Sequence, residues 1–289
     1  MQVIRTVKAM QEWSEGLRRQ GKRIGVVPTM GFLHKGHTSL IERATDLADV
    51  VVTTIFVNPT QFGPNEDFER YPRDFDRDSA MAAQAGADIV FFPDVHEIYP
   101  EGFSTSVEID DSSKTLEGKF RPTHFHGVIT VVAKLLNITK PHVAVFGQKD
   151  AQQAFLIQKM ARDLNFDVQI VIAPIVREAD GLAMSSRNAY LNATERRNAV
   201  CLFQALQQAQ SSIREGEQST AALSANLEQI LQKAKPAGID YIAVVRPETF
   251  QEVERIEPPR VLVALAARFG STRLIDNMLI DVPPASTSR

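Results

Sequence analysis

"RIGVVPTMGFLHKGHTSLIERATDLA", residues 23–48, opens with a short apolar run rich in valine, passes through a turn with two glycines, and continues with apolar residues at helical spacing. An apolar run of that length leading into an amphipathic segment is a strand feeding a helix, the first half of a βαβ unit. "RIGVV" reads as the first strand of the sheet, and the helix is expected to begin near Gly36. The alternation then repeats. "VVVTTIFV" (50–57) is followed by "DRDSAMAAQAG" (76–86), and "DIVFFP" (88–93) by "GVITVVAKLLNI" (127–138). "HVAVFG" (142–147) is followed by "QQAFLIQKMARDL" (152–164) and then "VQIVIAP" (168–174). This rhythm predicts an α/β fold, a Rossmann-like, doubly wound parallel sheet with helices on both faces, over residues 1–174.

Beyond Pro174 the pattern changes. "NATERRNAVCLFQALQQAQSSIREG" (192–216) begins with a capping Asn192 and ends at Gly216, which predicts one long amphipathic helix, and "STAALSANLEQILQKA" (219–234) predicts a second. "IDYIAVVRP", "RVLVALAARFG" and "TRLIDNMLID" follow as strand candidates. A smaller α+β lid domain is therefore expected over 175–283, with a frayed polar tail at 284–289. The polar stretch "NPTQFGPNEDFERYPRDFDRD" (58–78) carries three prolines and is too long for a plain connection, so a functional loop such as a lid, or else a disordered segment, is expected there.

Composition narrows the partners. Of 289 residues, 44% are hydrophobic and 23% charged, with a net charge of -3, so there is no excess of either sign to attract nucleic acid or a membrane surface. Small-molecule substrates are the expected partners. The single cysteine, Cys201, cannot form an internal disulfide. There is no basic-then-apolar leader at Met1 and no apolar run near the ~18 residues of a membrane span, so a cytoplasmic location is expected.

Three clusters carry chemistry. His34 and His37 fall at the carboxyl end of the first strand, where helix N–H groups and the helix dipole favour phosphate, and imidazoles add further donors. Gly31 and Gly36 let the backbone approach closely. The plainer reading is a surface histidine and a helix cap; a zinc pair lacks further ligands. "FGQKDAQQ" follows another strand, so Lys149 and Asp150 are expected on the same sheet edge, with Gln153 on the next helical turn; a solvated helix start is the alternative. "VREADGLAMSSRNAYL" offers Ser185, Ser186 and Arg187, donors suited to a polyphosphate, or else a serine-rich turn with a surface arginine.

"PTMGFLHKGH", "FVNPTQF", "GQKDAQQ" and "READGLAMSSRN" together resemble the pantothenate synthetase family, the pantoate:β-alanine ligases, and the likeness runs on through "STRLIDN". H-x-G-H alone marks a wide superfamily of nucleotidyltransferases and synthetases. The resemblance implies that ATP activates pantoate as an adenylate and that β-alanine then displaces AMP. It implies ATP contacts from Met30, Gly31, Phe32, Leu33, His34, Lys35, Gly36 and His37, from Gly147, Gln148, Lys149 and Asp150, and from Val176, Met184, Ser185, Ser186 and Arg187. His37, His34, Lys149 and Arg187 are the catalytic expectations among these. Gln61, Gln153 and Asn58 are expected at pantoate and β-alanine, Arg121 at the pocket wall, and His124 and His126 as structural residues. Magnesium is expected with ATP; Asp76 and Asp78 are the carboxylates considered for it, its ligands being left open. A homodimer is implied. The competing enzyme reading is a nucleotidyltransferase acting on a phosphorylated small molecule, which two neutral glutamine amides suit poorly. A nucleotide-binding sensor without catalysis is the non-enzymatic alternative.

Overall fold

A computed structural model of the chain describes residues 1–64, 66–109 and 111–284. Most of the tail expected at 284–289 lies outside them. The chain opens on a short strand, β1 (Gln2–Ile4), and a helix, α1 (Val7–Arg19). "RIGVV" therefore becomes the second strand, β2 (Ile24–Thr29), not the first. A three-residue strand is too short to leave a periodic signature, which is why β1 escapes a pattern reading. Then come α2 (Lys35–Thr45), β3 (Val50–Ile55), α3 (Phe75–Gln84), β4 (Ile89–Phe91) and the single turn α4 (Val95–Ile98). After α5 (Glu117–Phe120) the chain runs through α6 (His124–Thr139), β5 (Val143–Gly147), α7 (Ala151–Asp163) and β6 (Gln169–Ala173).

The six strands lie in the order β1-β4-β3-β2-β5-β6, and every pairing is parallel. Strands buried on both faces should read as continuous apolar runs. So they do: Ile24, Val26, Val27, Val143, Ala144 and Val145 have no exposed surface. The chain winds outward from β2 through β3 to β4, then returns to lay β5 against the other side of β2. Ligands of doubly wound sheets bind beyond the carboxyl ends of the strands at such a reversal. Val26 pairs with Ala144, so Thr29 and Gly147, each three residues on, finish neighbouring strands at the same edge.

By contact the chain divides into two compact units: Met1–Gln148 with Leu156–Pro174, and Lys149–Phe155 with everything from Ile175. The sequence places Lys149 with the parallel sheet; here its turn groups with the second unit. That unit holds α8 (Ala193–Ala199), α9 (Cys201–Arg214) and α10 (Thr220–Lys233), then β7 (Gly238–Val245), β8 (Arg260–Phe269) and β9 (Thr272–Asp281). The strands form an antiparallel sheet in the order β7-β8-β9, which packs with the helices around Leu202, Leu206, Leu227, Leu231, Val263 and Leu265. Asn192 caps α8 by accepting from the Thr194 and Glu195 amides, and Glu195 returns the bond. The single helix expected over 192–216 is in fact two, parted at Val200. Val200 keeps right-handed dihedrals (φ −60°, ψ −22°), so the break lies in the hydrogen-bond ladder and leaves no glycine or proline for a sequence reading to find.

Candidate active site

In the first unit the site is built at the turn from β2 into α2. Gly31 has φ +85° and Phe32 φ +49°, so two consecutive residues occupy the left-handed region. Glycine does so freely; phenylalanine needs its surroundings to hold it there. Asp78 of α3 supplies the hold: its carboxylate accepts from the Phe32 amide at 2.5 Å and from the Leu33 amide at 2.7 Å. Arg77 donates to the Leu33 carbonyl at 2.8 Å, and its guanidinium lies 5.0 Å from the centre of the Phe32 ring. A Cβ at Gly31 would stand 3.0 Å from an Asp78 oxygen, which further restricts that position to glycine. Asp78 is buried, and burial pushes its carboxyl up against the opposing pull of the two amides and Arg77.

The turn delivers the two histidines to the start of α2. His34 is the N-cap residue: its Nδ1 accepts from the Gly36 amide at 3.1 Å, while His37 Nδ1 accepts from the His34 amide at 3.3 Å. This is a reciprocal capping box made of imidazoles, with ring centres 4.0 Å apart. An imidazole that accepts at Nδ1 carries its hydrogen on Nε2. Each ring thus satisfies the helix end with one nitrogen and carries its N–H on the other, whereas an ionised aspartate cap would bring acceptors only to a site that favours anions. Met30, Gly36 and His37 are half-buried, and Lys35 is exposed.

A second cluster in the same unit centres on Gln61. Asn58 Nδ2 donates to Gln61 Oε1 at 3.2 Å and to the Gly127 carbonyl at 3.1 Å, and Tyr99 donates to Asn58 Oδ1 at 2.8 Å. Gln61 Nε2 points to the Met30 sulfur at 2.7 Å, linking this cluster to the histidine turn. Asn58 is 1% exposed, so its amide acts on Gln61 and on the fold of the 58–61 turn. Gly127 is required because a Cβ there would lie 2.3 Å from the Thr60 carbonyl oxygen. His124 Nδ1 meets the Gln61 carbonyl at 3.0 Å, and burial, aided by the Arg121 charge, pushes its pKa down to about 4. Arg121 grips Glu66 through two bonds of 2.7 and 2.5 Å; burial works to raise the Glu66 carboxyl, yet Arg121 holds it below the usual range. The 58–78 stretch is thus anchored: Phe62 packs on Phe68 and Tyr71 with ring centres 5.4 and 5.8 Å apart. His126 is exposed.

Gly147 closes β5 and Gln148 follows it, both half-buried. Lys149 opens the second unit's share, pairing with Asp150 at 3.2 Å. Its backbone carbonyl receives Asn277 Nδ2 at 2.9 Å. Gln153 is half-buried in the first turn of α7. Val176 and Met184 are joined by the Met184 amide to the Val176 carbonyl at 3.0 Å, next to a bridge between Arg177 and Ala183. Ser185 accepts the Arg187 amide at 3.3 Å and caps the 3-10 turn Ser186–Tyr190, while Asn188 donates to Glu178 and to the Ala183 carbonyl. Under this loop Arg177 makes a bidentate pair with the buried Asp276 at 2.6 and 2.9 Å. Burial pushes the Asp276 carboxyl up, and Arg177 opposes that shift. Tyr99, Arg177, Asp276 and Asn277 were not among the residues singled out from sequence. Two successive polar residues inside the apolar strand "TRLIDNMLID" were the available signal for the last two.

Asp76 and Asp78 do not form a paired-carboxylate site. They are two residues apart on α3 and cannot face one another, Asp76 is exposed, and both Asp78 oxygens are engaged by backbone amides. Among the described residues no group of three or more His, Cys, Asp or Glu could hold a metal ion. Nor, among them, is any helix long and apolar enough to cross a membrane.

Residues 2–279 match the family model described as pantoate-beta-alanine ligase. The chain belongs to that family. It is 55% identical over 284 residues to the pantothenate synthetase of Chloroherpeton thalassium, covering 98% of this chain and 100% of that one. It is 51% identical over 280 residues to that of Thermotoga petrophila, covering 97% and 100%. The pantothenate synthetase of Thermus thermophilus superposes with a TM-score of 0.91 at 43% identity, over 96% of this chain and 99% of that one. The pantoate-beta-alanine ligase of Francisella tularensis, solved with beta-gamma ATP and beta-alanine, gives 0.79 at 36% identity, over 96% and 97%. As a member of this family the chain is a ligase, a pantothenate-forming enzyme, and its parallel sheet with a smaller antiparallel-sheet domain is the fold of those structures.

Proposed function

We propose that the chain condenses pantoate with β-alanine in two steps driven by ATP. A pantoate carboxylate oxygen attacks the α-phosphorus, the bond from that phosphorus to the bridging oxygen breaks, and pyrophosphate leaves with the electron pair. The β-alanine nitrogen then attacks the acyl carbon of pantoyl adenylate, AMP departs, and the nitrogen loses its extra proton as the amide forms. A carboxylate is a poor electrophile, and adenylation gives it a good leaving group. The protein's work is therefore to align reactants and to stabilise charge growing on the phosphates.

The observation that carries this reading is the imidazole capping box, which sets two imidazoles at a helix N-terminus where anions are favoured. His34 and His37 are assigned to the nucleotide phosphates, with His37 as the proton donor. Met30–Gly36, Gly147, Gln148, Asp150, Val176, Met184, Ser185 and Ser186 are assigned to the nucleotide, and Lys149 and Arg187 to the charge that develops as pyrophosphate leaves. Gln61 and Gln153 are assigned to pantoate, with Gln61 also bordering β-alanine and Asn58 acting beside it. Magnesium enters with the nucleotide, ligated by phosphate and water. The enzyme is assigned to the cytoplasm as a homodimer. The test is pyrophosphate release from ATP and pantoate, with and without β-alanine. Pyrophosphate and pantoyl adenylate are expected without β-alanine, and pantothenate with AMP once it is added; release of ADP and orthophosphate would refute the adenylate route.

A further inference from the structure

Asp276 and Asn277 interrupt the apolar strand β9, are 1% and 3% exposed, and have no role among those assigned above. Successive strand residues point to opposite faces, so such a pair can reach two segments at once. Asn277 Nδ2 donates to the Lys149 carbonyl at 2.9 Å, across 128 residues of chain. Asp276 holds Arg177 at 2.6 and 2.9 Å, and Arg177 in turn donates to the Gly181 carbonyl at 3.0 Å and lies 4.3 Å from the centre of the Phe203 ring. Gly181, at φ +96°, has no room for a Cβ, which would stand 2.0 Å from a Phe203 carbon. The loop that begins at Arg177 and carries Met184, Ser185 and Arg187 is therefore pinned at its base. A buried ion pair is weak evidence for stability by itself, because desolvation offsets much of the attraction. Its effect is to fix geometry.

We infer that Asp276 and Asn277 are positioning residues for adenylation: Asn277 sets the backbone of Lys149, and Asp276, through Arg177, sets the loop bearing Arg187. The inference rests on the proposed assignment of Lys149 and Arg187 to the nucleotide. It also accounts for the grouping of Lys149–Phe155 with the second unit, where Phe155 stacks on Phe250 at 5.3 Å between ring centres.

The test is a double-mutant comparison in single-turnover pyrophosphate release from ATP and pantoate. Asn277→Ala should slow adenylation roughly 10- to 100-fold, the scale of a small misplacement of a catalytic group. Aminolysis of preformed pantoyl adenylate by β-alanine should be unchanged. In the Lys149→Ala background the same substitution should cost nothing further, since the group it positions is gone. Asp276→Asn should behave likewise against Arg187→Ala. If Asn277→Ala does not fold, Asn277→Leu keeps the volume without the donor and carries the same comparison. Fast adenylation in the Asn277 variant, or a loss that adds fully to that of Lys149→Ala, would overturn the inference while leaving the proposed function intact. Normal adenylation in Lys149→Ala would sink the assignment on which both stand.

Discussion

Asp78 and Leu33 lie 45 residues apart in the chain and 2.7 Å apart from carboxylate oxygen to amide nitrogen. That bond and its partner at Phe32 hold the left-handed turn that aims the histidines. Asp78→Ala leaves two backbone donors in the turn without their carboxylate partner, a loss of about 1–3 kcal/mol for each that stays buried and unpaired. Thermal denaturation should show the loss, and adenylation should slow with it. The magnesium concentration needed for half-maximal activity should not move; a large rise in that requirement would mean that Asp78 serves the cation.

Tyr99 stands behind Gln61, the residue proposed for pantoate: its hydroxyl donates to Asn58, whose amide donates to Gln61. Tyr99→Phe removes the hydroxyl's bonds to Asn58 and to Thr60, about 0.5–1.5 kcal/mol each, and loosens the turn that holds Gln61. The KM for pantoate should rise several-fold while the KM for ATP stays put. Equal changes in both constants would break the proposed division between the two clusters.

Acid should unfold the first unit through His124. Its folded pKa, pushed down to about 4, lies below the unfolded value of 6.5, so between those values the unfolded chain binds the extra proton and stability rises with pH. The contribution is complete above pH 6.5 and is lost as pH falls toward 4, up to about 3 kcal/mol in all. His124→Asn keeps a nitrogen donor for the Gln61 carbonyl and cannot titrate. Urea midpoints measured from pH 4 to pH 7 should therefore have a flatter slope in the variant than in the parent; parallel slopes would place the acid sensitivity elsewhere.

The centre of the parallel sheet was readable because β2, β3 and β5 are buried on both faces and therefore written as valine-rich runs, each followed by a helical period. What escaped was whatever depends on partners distant in sequence. Asp78 looks like one more charge in a polar stretch until α3 brings it under Phe32 and Leu33. Asn58 reads from sequence as a candidate ligand-binding amide, and only the fold shows Gly127, Gln61 and Tyr99 as its partners. Likewise Val200 has nothing in its local sequence that stops a helix, and Lys149 follows a strand of the first unit while its backbone is bonded to Asn277 within the second.

The histidine turn allows capping to be separated from chemistry. Aspartate is among the best N-cap residues, since its carboxylate accepts the same amides that His34 Nδ1 accepts and is favoured by the helix dipole. His34→Asp should therefore match or exceed the parent in thermal midpoint, within about 1 kcal/mol of stability either way. The same carboxylate brings negative charge to the place proposed for the nucleotide phosphates and removes the Nε2 donor. ATP affinity should fall at least 10-fold, more steeply at low ionic strength than at high, because the new repulsion is screened by salt. His34→Asn restores a neutral cap with a side-chain donor and should recover part of that affinity. Isothermal titration with ATP at two salt concentrations, beside thermal melts of the three proteins, separates the two roles. Undiminished ATP binding by a well-folded His34→Asp protein would reduce His34 to a helix cap.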